Sequence, residues 1–420
     1  MAHRNHTLKI HWLAAVWLVV VLAACGKDPA PLQQNFADMT VPQSFGWGTI
    51  RNFIITVNLP NRDGQVFDLL DLQNNRIDRQ LIRDGKAVFN VRVSAELPAL
   101  RLSSPVSGQV LDFPAANTTI NFDLNANSVT QWASAADADG DSIPDPWDEF
   151  PNDPALAIRL FLPYQGQHMV LFDEGWPFNG DFDFNDLIIG HRFELLYDAR
   201  RSLVQGTGRL KVLAHSLTEE YGLAIEYLRA IAGTTYDYAI NTSIFFEPGG
   251  PVMHDSSLNT AYLIPDLRTW LNPYYSNNGT GPSGTPQEVV YSFRWNDTTG
   301  GNYPWPNFYL FKPTNKKSEV HVFGYPPTQH ADLNMLSTGD DASIRRWRWN
   351  TNFTLPNAFY RSYQNFPWGV EFFESNWRPT REGSQLSEAY PYLVRWAETG
   401  GELNRSWRQF PDVARTVVIP

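Results

Sequence analysis

Short segments in which apolar and polar residues alternate, separated by turn residues, mark the first part of the chain. These segments are rich in β-branched and aromatic residues, which favour strands, and they cover residues 50–59, 87–93, 100–102 and 118–124. The sequences NRDG (61–64) and DG (84–85) are typical of turns between strands. The pattern therefore predicts a small β-sandwich that ends near Ser128.

The same alternation of apolar segments and turn residues continues over a longer second part of the chain, where Gly, Pro and Asn separate the apolar segments. Strands are predicted at residues 157–162, 169–172, 209–214, 222–228, 289–295, 308–311 and 319–323. Helical patterns are few. Pro265 suits the first turn of a helix over 264–270, and Pro391 does the same for a helix over 390–399, which a pair of glycines ends. We therefore expect a mainly β protein with a few short helices.

The N-terminus has the pattern of an export signal. Arg4 and Lys9 precede an apolar run over residues 12–24 that is too short to span a bilayer comfortably. The run closes on the sequence LAAC, in which Cys25 is the only cysteine of the chain, and this sequence resembles the lipobox of bacterial lipoproteins. The resemblance implies cleavage before Cys25, lipid attached to its sulfur and, with Gly26 following, sorting to the outer membrane.

The most distinctive chemistry lies between the two β regions, in the sequence DADGDSIPDPWD over residues 137–148. Its carboxylates fall at loop positions 1, 3, 5, 9 and 12, a spacing at which oxygen ligands wrap a calcium ion, with a backbone carbonyl at position 7. No Lys or Arg occurs between residues 137 and 153, so the carboxylates would repel one another without a cation. The predicted ligands are Asp137, Asp139, Asp141, Ile143, Asp145 and Asp148.

Two features temper this interpretation of the loop. A run of acidic residues can also be a solvated linker, although the regular spacing argues against that alternative. Position 6 of such a loop makes a sharp turn that favours glycine, and here it is Ser142. Ser142 must therefore accept an unfavourable backbone conformation, or the loop must open differently.

A second group of acidic residues follows in the sequence DEGWPFNGDFDFND over residues 173–186. Phe182 and Phe184 alternate with acids, so a strand here would place carboxylates on one face and rings in the core. Two interpretations stay open for the acids: a second set of metal ligands, or a turn in which carboxylates cap backbone amides. The residues concerned are Asp173, Glu174, Asp181, Asp183 and Asp186.

Charge and composition exclude several classes of function. The formal net charge is −11, which argues against a nucleic-acid-binding surface. The nine His residues show no HExxH spacing, and neither GxSxG nor a P-loop sequence occurs. With one cysteine the chain has no internal disulfide, so its stability must come from burial and from bound calcium. We therefore predict a protein that is not an enzyme.

Several motifs resemble the LruC-domain family of bacterial surface lipoproteins. The sequence WPFNGDFDFNDL over residues 176–187 is similar to the family hallmark W-P-x-x-G-D-x-D-F-N-D-L, and similar later motifs follow in the same order at 319–328, 366–370 and 389–401. The resemblance spans about residues 155–415. The acidic sequence before it is similar to the thrombospondin-type-3-like calcium repeats often placed there. The resemblance to the LruC-domain family implies an exported β-rich domain without an assigned reaction.

These patterns divide the chain into five parts. Residues 26–44 are rich in Pro, Gln and Asn with little periodicity, as a tether is. The predicted parts are a signal peptide (1–24), a lipidated tether (25–44), a β-sandwich (45–130), a calcium-binding linker (131–154) and a larger LruC-like β domain (155–420).

We therefore predict a calcium-binding outer-membrane lipoprotein that acts as a structural or interaction module on the cell surface. Its expected partners are the outer membrane, through the lipid anchor, and an unknown surface protein or glycan, but not nucleic acid. One alternative is a carbohydrate-binding adhesin, because fifteen Trp residues, among them Trp305 and Trp347, offer faces on which sugar rings can stack. Another is a hydrolase that uses Asp181 or Asp186 as a catalytic carboxylate.

Overall fold

The computed structural model describes residues 32, 34–60, 62–123, 127–230, 238–240, 244–246, 253–255, 260–270, 288–295, 305–345, 359–374 and 376–418. Within these residues, strands in four sheets make up most of the regular structure, and helices are few and short. The predicted fold class, mainly β with a few short helices, is therefore confirmed. Cys25 and Trp347 lie outside the described residues.

The first lobe, residues 50–123, contains two sheets. Its strands are β1 (Ile50–Asn58), β2 (Val66–Leu70), β3 (Arg76–Leu81), β4 (Lys86–Ser94), β5 (Ala99–Ser103), β6 (Val110–Pro114) and β7 (Thr118–Asn121). One sheet has the order β4-β1-β7, with β7 parallel to β1, and the other has the order β3-β2-β5-β6. In β1, Phe53, Ile55 and Val57 are buried at alternate positions, which is why the sequence pattern predicted this strand.

The sequence pattern missed three strands of the first lobe: β2, β3 and β6. In β2 and β3 the interior positions include charged residues, so no alternation of apolar and polar residues marks them. Asp68 and Arg79 face each other across these two strands in a buried ion pair of 2.6 Å. The pairing satisfies both charges inside the protein, and only the folded structure brings the two partners together.

The second lobe, residues 158–418, is a larger pair of sheets. Its strands are β8 (Ile158–Leu162), β9 (Gln167–Phe172), β10 (Leu187–Tyr197), β11 (Leu203–His215), β12 (Gly222–Ala230), β13 (Tyr238–Ile240), β14 (Ile244–Phe246), β15 (Met253–Asp255), β16 (Thr260–Ile264), β17 (Glu288–Trp295), β18 (Trp305–Lys312), β19 (Asn315–His321) and β20 (Gly369–Glu374). One sheet has the order β14-β17-β11-β10-β9-β20, with β8 paired to β10, and the other has the order β15-β16-β12-β18-β19, with β13 paired to β12.

Aromatic side chains fill the space between the two sheets of the second lobe. Tyr227 of β12 contacts Phe193 of β10 and Phe293 of β17, with ring centroids 5.8 and 5.0 Å apart. Phe308 of β18 lies 5.0 Å from the ring of His191 in β10. These rings are buried and come from both sheets, so the lobe is a sandwich with β10 near the centre of one layer.

Helices cover only short stretches between and after the strands. They are α1 (Asn127–Ser134), α2 (Leu267–Trp270), α3 (Leu386–Ala389) and α4 (Leu393–Glu398), together with 3₁₀ turns at Phe36–Asp38, Asp145–Trp147 and Trp407–Gln409. The two predicted helices are present but shorter than expected, as α2 and α4. Among the described residues no helix has the length and apolar character needed to cross a bilayer.

The segment that precedes the first lobe packs on the second lobe. Phe36, Met39 and Val41 are buried in a cluster that contains Phe182. The rings of Phe36 and Phe182 stack with their centroids 4.9 Å apart. The prediction of a tether over residues 25–44 is therefore wrong for its second half. The segment lacks periodicity because its few apolar residues pack individually against another lobe, and among its described residues only a single 3₁₀ turn at Phe36–Asp38 orders it.

The two lobes contact each other directly. Arg201, which follows β10, donates hydrogen bonds to the backbone oxygen of Arg79 at 2.7 Å and to a carboxylate oxygen of Asp78 at 2.5 Å, both in β3. Arg92 of β4 forms a buried ion pair of 2.8 Å with Glu371 of β20. One hydrophobic core cluster includes side chains of both lobes. The 137–148 loop lies in the chain between them.

Candidate metal centres

The 137–148 loop brings three of its predicted ligands together. One carboxylate oxygen each of Asp137, Asp139 and Asp141 lies within 4.8 Å of the others. Asp137 organises this turn, because its two carboxylate oxygens accept hydrogen bonds from the backbone amides of Gly140 at 2.8 Å and Ser142 at 3.1 Å. The regular acidic spacing thus produces a compact, half-exposed group of oxygens rather than a spread of solvated side chains.

Several oxygens of this loop are buried without a hydrogen-bond donor. They are the Oδ2 atoms of Asp139, Asp141 and Asp148. Burial raises the pKa of Asp141, and the negative charges of Asp139 and Asp137 raise it further. Burial likewise raises the pKa of Asp148 to about 6, with the neighbouring carboxylates adding to the effect. Oxygens that face inward without donors are the groups that a hard divalent cation binds.

The remaining predicted ligands take other positions. Asp145 begins a 3₁₀ turn, and one of its carboxylate oxygens accepts a hydrogen bond of 2.8 Å from the amide of Ala138, which closes the loop. The carboxylates of Asp145 and Asp148 are outside the group of three that meet within 4.8 Å. Ile143 places its side chain in the core and its amide donates to Asp141 at 2.7 Å.

Ser142 has the unfavourable backbone that the sequence led us to expect at position 6. Its φ angle is +88°, in the left-handed region that residues with a Cβ atom rarely adopt, and Gly140 two residues earlier has φ +78°. The loop therefore makes a sharp turn at Ser142, the position at which calcium loops usually have glycine. The turn is kept at an energetic cost.

The second acidic group brings four carboxylates together. One carboxylate oxygen each of Asp173, Asp181, Asp183 and Asp186 lies within 4.8 Å of the others. Asp173 directly follows β9 and Asp186 directly precedes β10, so the connection between two neighbouring strands carries the whole set, which we name the 173–186 cluster. Asp173, Asp183 and Asp186 are buried, whereas Asp181 is exposed.

Residues 181–185 do not form a strand, so the alternation of rings and acids here does not separate them onto two faces of a sheet. Phe182 and Phe184 have φ angles of +64° and +53°, so the backbone enters the left-handed region twice and does not alternate like a strand. Both rings are nevertheless buried, together with Asp183 and Asn185. The left-handed residues direct rings and carboxylates into the interior on different sides of the same irregular loop.

Three of the four carboxylates in the 173–186 cluster are shielded from water, and all four lie close to one another. Burial raises the pKa of Asp173 well above its ordinary value, and the charges of Asp186 and Asp181 add to this effect. Burial raises the pKa of Asp183 to about 10, and it raises the pKa of Asp186 to about 7. A raised pKa means that burial favours the protonated, uncharged form of these carboxyl groups.

Hydrogen bonds to this cluster come mainly from backbone amides. Asp183 accepts from the amide of Asn185 at 3.0 Å, and Asp186 accepts from the amide of Glu174 at 2.6 Å and from the hydroxyl of Ser216 at 3.1 Å. Asp173 Oδ2 accepts a long bond of 3.3 Å from the amide of Phe182, while Asp173 Oδ1 is buried without any partner. These contacts order the loop but leave ligand oxygens available.

Glu174 differs from the other predicted members of this group. Its carboxylate turns outward and accepts hydrogen bonds from the amide and hydroxyl of Thr218. It therefore orders the loop after β11 and is not among the four converging carboxylates.

Glu382 is a residue of this region that the sequence analysis missed. It forms side-chain hydrogen bonds with Ser216 and Asn185, and burial followed by the charge of Asp181 raises its pKa. Nothing in the local sequence marks it, because almost two hundred residues separate it from the cluster.

Comparisons with known proteins give a family match for part of the chain. Residues 252–407 are similar to a family described as Domain of unknown function (DUF4842). A crystal structure of a putative lipoprotein from Bacteroides ovatus, at 2.08 Å resolution, covers 85% of this chain and 100% of its own, with 15% sequence identity and a TM-score of 0.48. No curated protein matches. The matched family has no assigned function, and both acidic groups lie outside residues 252–407.

Proposed function

We propose that this protein is a lipid-anchored module of the bacterial cell surface that acts through structure or interaction and not through catalysis. In this proposal a calcium ion in the 137–148 loop stabilises the junction of the two lobes. The observation that carries the proposal is the set of buried carboxylate oxygens without donors on Asp139, Asp141 and Asp148, in the loop that joins the two lobes along the chain. The LruC-like and thrombospondin-type-3-like character remains part of this proposal.

The contacts of the loop and its flank support a role at the junction. On the first lobe, Arg79 donates to the backbone oxygen of Trp147 at 2.8 Å, and the indole of Trp147 donates to the backbone oxygen of Pro105 at 3.3 Å. Glu149 bridges the lobes, because it pairs with Arg76 of β3 and accepts from the amide of Arg159 in β8 at 2.5 Å. An ion that fixed the loop would therefore also fix the position of the first lobe relative to the second.

Calcium is the cation that this loop fits best. All its candidate ligand atoms are oxygens, which suit hard cations such as Ca²⁺ and Mg²⁺ and disfavour zinc or copper. The turn at Ser142 and the acidic spacing are those of a flexible loop that supplies most of its ligands from the protein. Mg²⁺ demands a small octahedral site and keeps several waters. Neutralising the three carboxylates would remove their mutual repulsion.

Export and anchoring rest on the N-terminal sequence. The apolar run over residues 12–24 and the sequence LAAC predict that the mature chain begins at lipidated Cys25. Several acyl chains on one residue hold a protein on a membrane more firmly than one chain does. The outer membrane is the proposed location, and extracellular calcium loops of the expected affinity would be loaded there.

The two alternative functions receive less support from the described residues. An adhesin would present aromatic faces to solvent; Phe178 and Tyr363 are exposed, but Trp305 is 2% exposed, and Trp47 and Trp368 are also buried. A hydrolase would need a pair of carboxylates that a substrate can reach, whereas Asp181 is exposed but Asp186 is buried at 7% exposure. We therefore prefer the structural or interaction role.

Calorimetric titration with Ca²⁺ tests the calcium part of this proposal. The protein without its signal peptide is compared with Asp139→Asn, which removes one charge from the loop, and with Asp153→Asn as a matched control. Asp153 is a neighbouring exposed acid outside the converging group. We expect Asp139→Asn to bind one ion fewer and Asp153→Asn to bind as the parent does. Equal stoichiometry in all three proteins would refute the loop site.

A further inference from the structure

The 173–186 cluster buries negative charge without a protein cation beside it. Among the described residues, its hydrogen-bond donors are backbone amides and the hydroxyl of Ser216, with no Lys or Arg side chain. Removing three carboxylates from water is costly unless each carries a proton or shares a cation. The fold therefore either keeps neutral acids here or builds a site for a positive ion.

Asp173 distinguishes these two explanations. It is 1% exposed, and its Oδ1 atom is buried without a hydrogen-bond partner. In a turn held only by hydrogen bonds, such an oxygen would lose its interaction with water for nothing in return. The backbone also makes room for this carboxylate: a Cβ atom on Gly180 would lie 2.5 Å from Asp173 Oδ2 and 2.6 Å from the backbone oxygen of Glu174.

The distances match one calcium ion. Ca²⁺ binds oxygens at about 2.3–2.6 Å, so two ligands on opposite sides of it lie about 4.6–5.2 Å apart. Four carboxylate oxygens that all lie within 4.8 Å of one another can therefore share one ion. Mg²⁺ draws its ligands closer and usually keeps several waters, for which three buried carboxylates leave little room. Asp181, the exposed member, leaves one side open to solvent and to an entering ion.

We propose that Asp173, Asp181, Asp183 and Asp186 bind a second calcium ion, at a site independent of the 137–148 loop. The ion balances the negative charge of the four carboxylates, and it binds the orphaned oxygen of Asp173. The site joins the end of β9 to the start of β10, so it fixes the connection between two central strands of the second lobe.

The second ion also orders a docking surface for the N-terminal segment. Phe182 lies between two ligands in sequence, its ring stacks on Phe36, and its backbone oxygen accepts a hydrogen bond of 2.8 Å from the amide of Leu386. Because Asp181 and Asp183 flank Phe182 in the sequence, an ion bound by both would hold the left-handed backbone of Phe182 in place. Calcium would thereby control how firmly the segment nearest the lipid anchor packs on the body of the protein.

Native mass spectrometry with Ca²⁺ alone as the probe tests the second site. The parent protein is compared with Asp139→Asn, with Asp183→Asn and with Asp123→Asn, an exposed control outside both groups. Asparagine has the shape of a protonated aspartate, so Asp183→Asn would leave an ion-free turn intact. We expect two ions in the parent and in Asp123→Asn, and one ion in each of the other variants. Two ions retained by Asp183→Asn would overturn the proposal.

The Asp139→Asn variant tests the second site even if Asp183→Asn does not fold. Its second site is unchanged, so one retained ion supports the proposal and no retained ion overturns it. Two ions in Asp139→Asn would instead refute the loop site and leave the second site in place, so the two failures are distinguishable. A second readout is limited proteolysis of Asp139→Asn: chelation should speed cleavage near residues 36–47 at least tenfold, and an unchanged rate would refute the coupling to Phe36.

Discussion

The 137–148 loop and the 173–186 cluster are both acidic, but they handle their charge differently. In the loop the acids are half-exposed, and water can screen part of their repulsion. In the cluster three acids are buried, and burial is the largest cause of the raised pKa of each of them. The two groups differ mainly in the access of their acids to water, so we expect the buried cluster to depend more strongly on a cation than the loop does.

Glu371 shows how the same fold buries a carboxylate with its own counter-charges. It contacts Arg92, His168 and Tyr325, each at 2.8 Å. Although burial alone would raise its pKa, the charge of Arg92 and these hydrogen bonds lower the pKa of Glu371 to about 2. The pKa of Asp183 is displaced in the opposite direction. The protein thus supplies a cationic side chain, Arg92, beside Glu371. Among the described residues, no Lys or Arg side chain donates a hydrogen bond to Asp183.

The largest expected effect is that of Asp183→Asn on calcium-dependent stability. If the cluster has a dissociation constant of about 1 μM, then calcium at about 1 mM stabilises the fold by about 4 kcal/mol. The variant should lose this increment, measured as the difference in urea unfolding free energy between calcium and chelator. Asp123→Asn should keep the whole difference. If calcium raised the unfolding free energy of Asp183→Asn as much as that of the parent, the cluster would not be the stronger calcium site.

The next effect concerns Glu371→Gln and its dependence on pH. The folded pKa of Glu371, about 2, lies below its ordinary value of 4.5, so its stabilising contribution is complete above that value and disappears as the pH falls towards 2. The shift corresponds to about 3 kcal/mol. Glu371→Gln should therefore be less stable than the parent by about 3 kcal/mol at neutral pH, because Arg92 loses its buried partner.

Urea unfolding at pH 7 and pH 3 measures this dependence. The difference between Glu371→Gln and the parent should shrink at the lower pH, whereas Glu402→Gln, at an exposed site, should match the parent at both. A difference that stays constant with pH would show that packing and not charge accounts for the loss.

A smaller effect is expected from Asp139→Asn in the loop. Extracellular calcium modules bind with dissociation constants of about 0.1 mM, so calcium at about 1 mM adds only about 1.4 kcal/mol. The calcium-dependent stability of Asp139→Asn should fall by that amount and keep the larger share that belongs to the cluster. If the loop variant lost more than the cluster variant, the ranking of the two sites by burial would be wrong.

The smallest effect is that of Ser142→Gly. Glycine adopts the observed φ of +88° without steric cost, while its greater freedom in the unfolded chain offsets part of the gain. We expect stabilisation by about 0.5 kcal/mol, measured by urea unfolding in calcium. Ser142→Ala is the matched control, because it removes the hydroxyl but keeps the Cβ atom, and it should bring no gain. Equal stabilisation by both substitutions would assign the effect to the hydroxyl.

The sequence by itself determined the features that depend on neighbouring residues. The mainly β fold followed from short alternating segments, and strands such as β1 and β4 have almost the predicted limits. The convergence of Asp137, Asp139 and Asp141 followed from their spacing, because a turn of a few residues brings them together.

Only the tertiary structure decided the features that join distant parts of the chain. It placed Phe36 on Phe182, paired Asp68 with Arg79 inside the first lobe, and brought Glu382 to the 173–186 cluster. It also gave residues 181–185 a loop with left-handed backbone conformations that buries acids and rings together. The physical reason is that burial and charge pairing depend on which surfaces meet, whereas periodicity reports only which residues share one face of a local element.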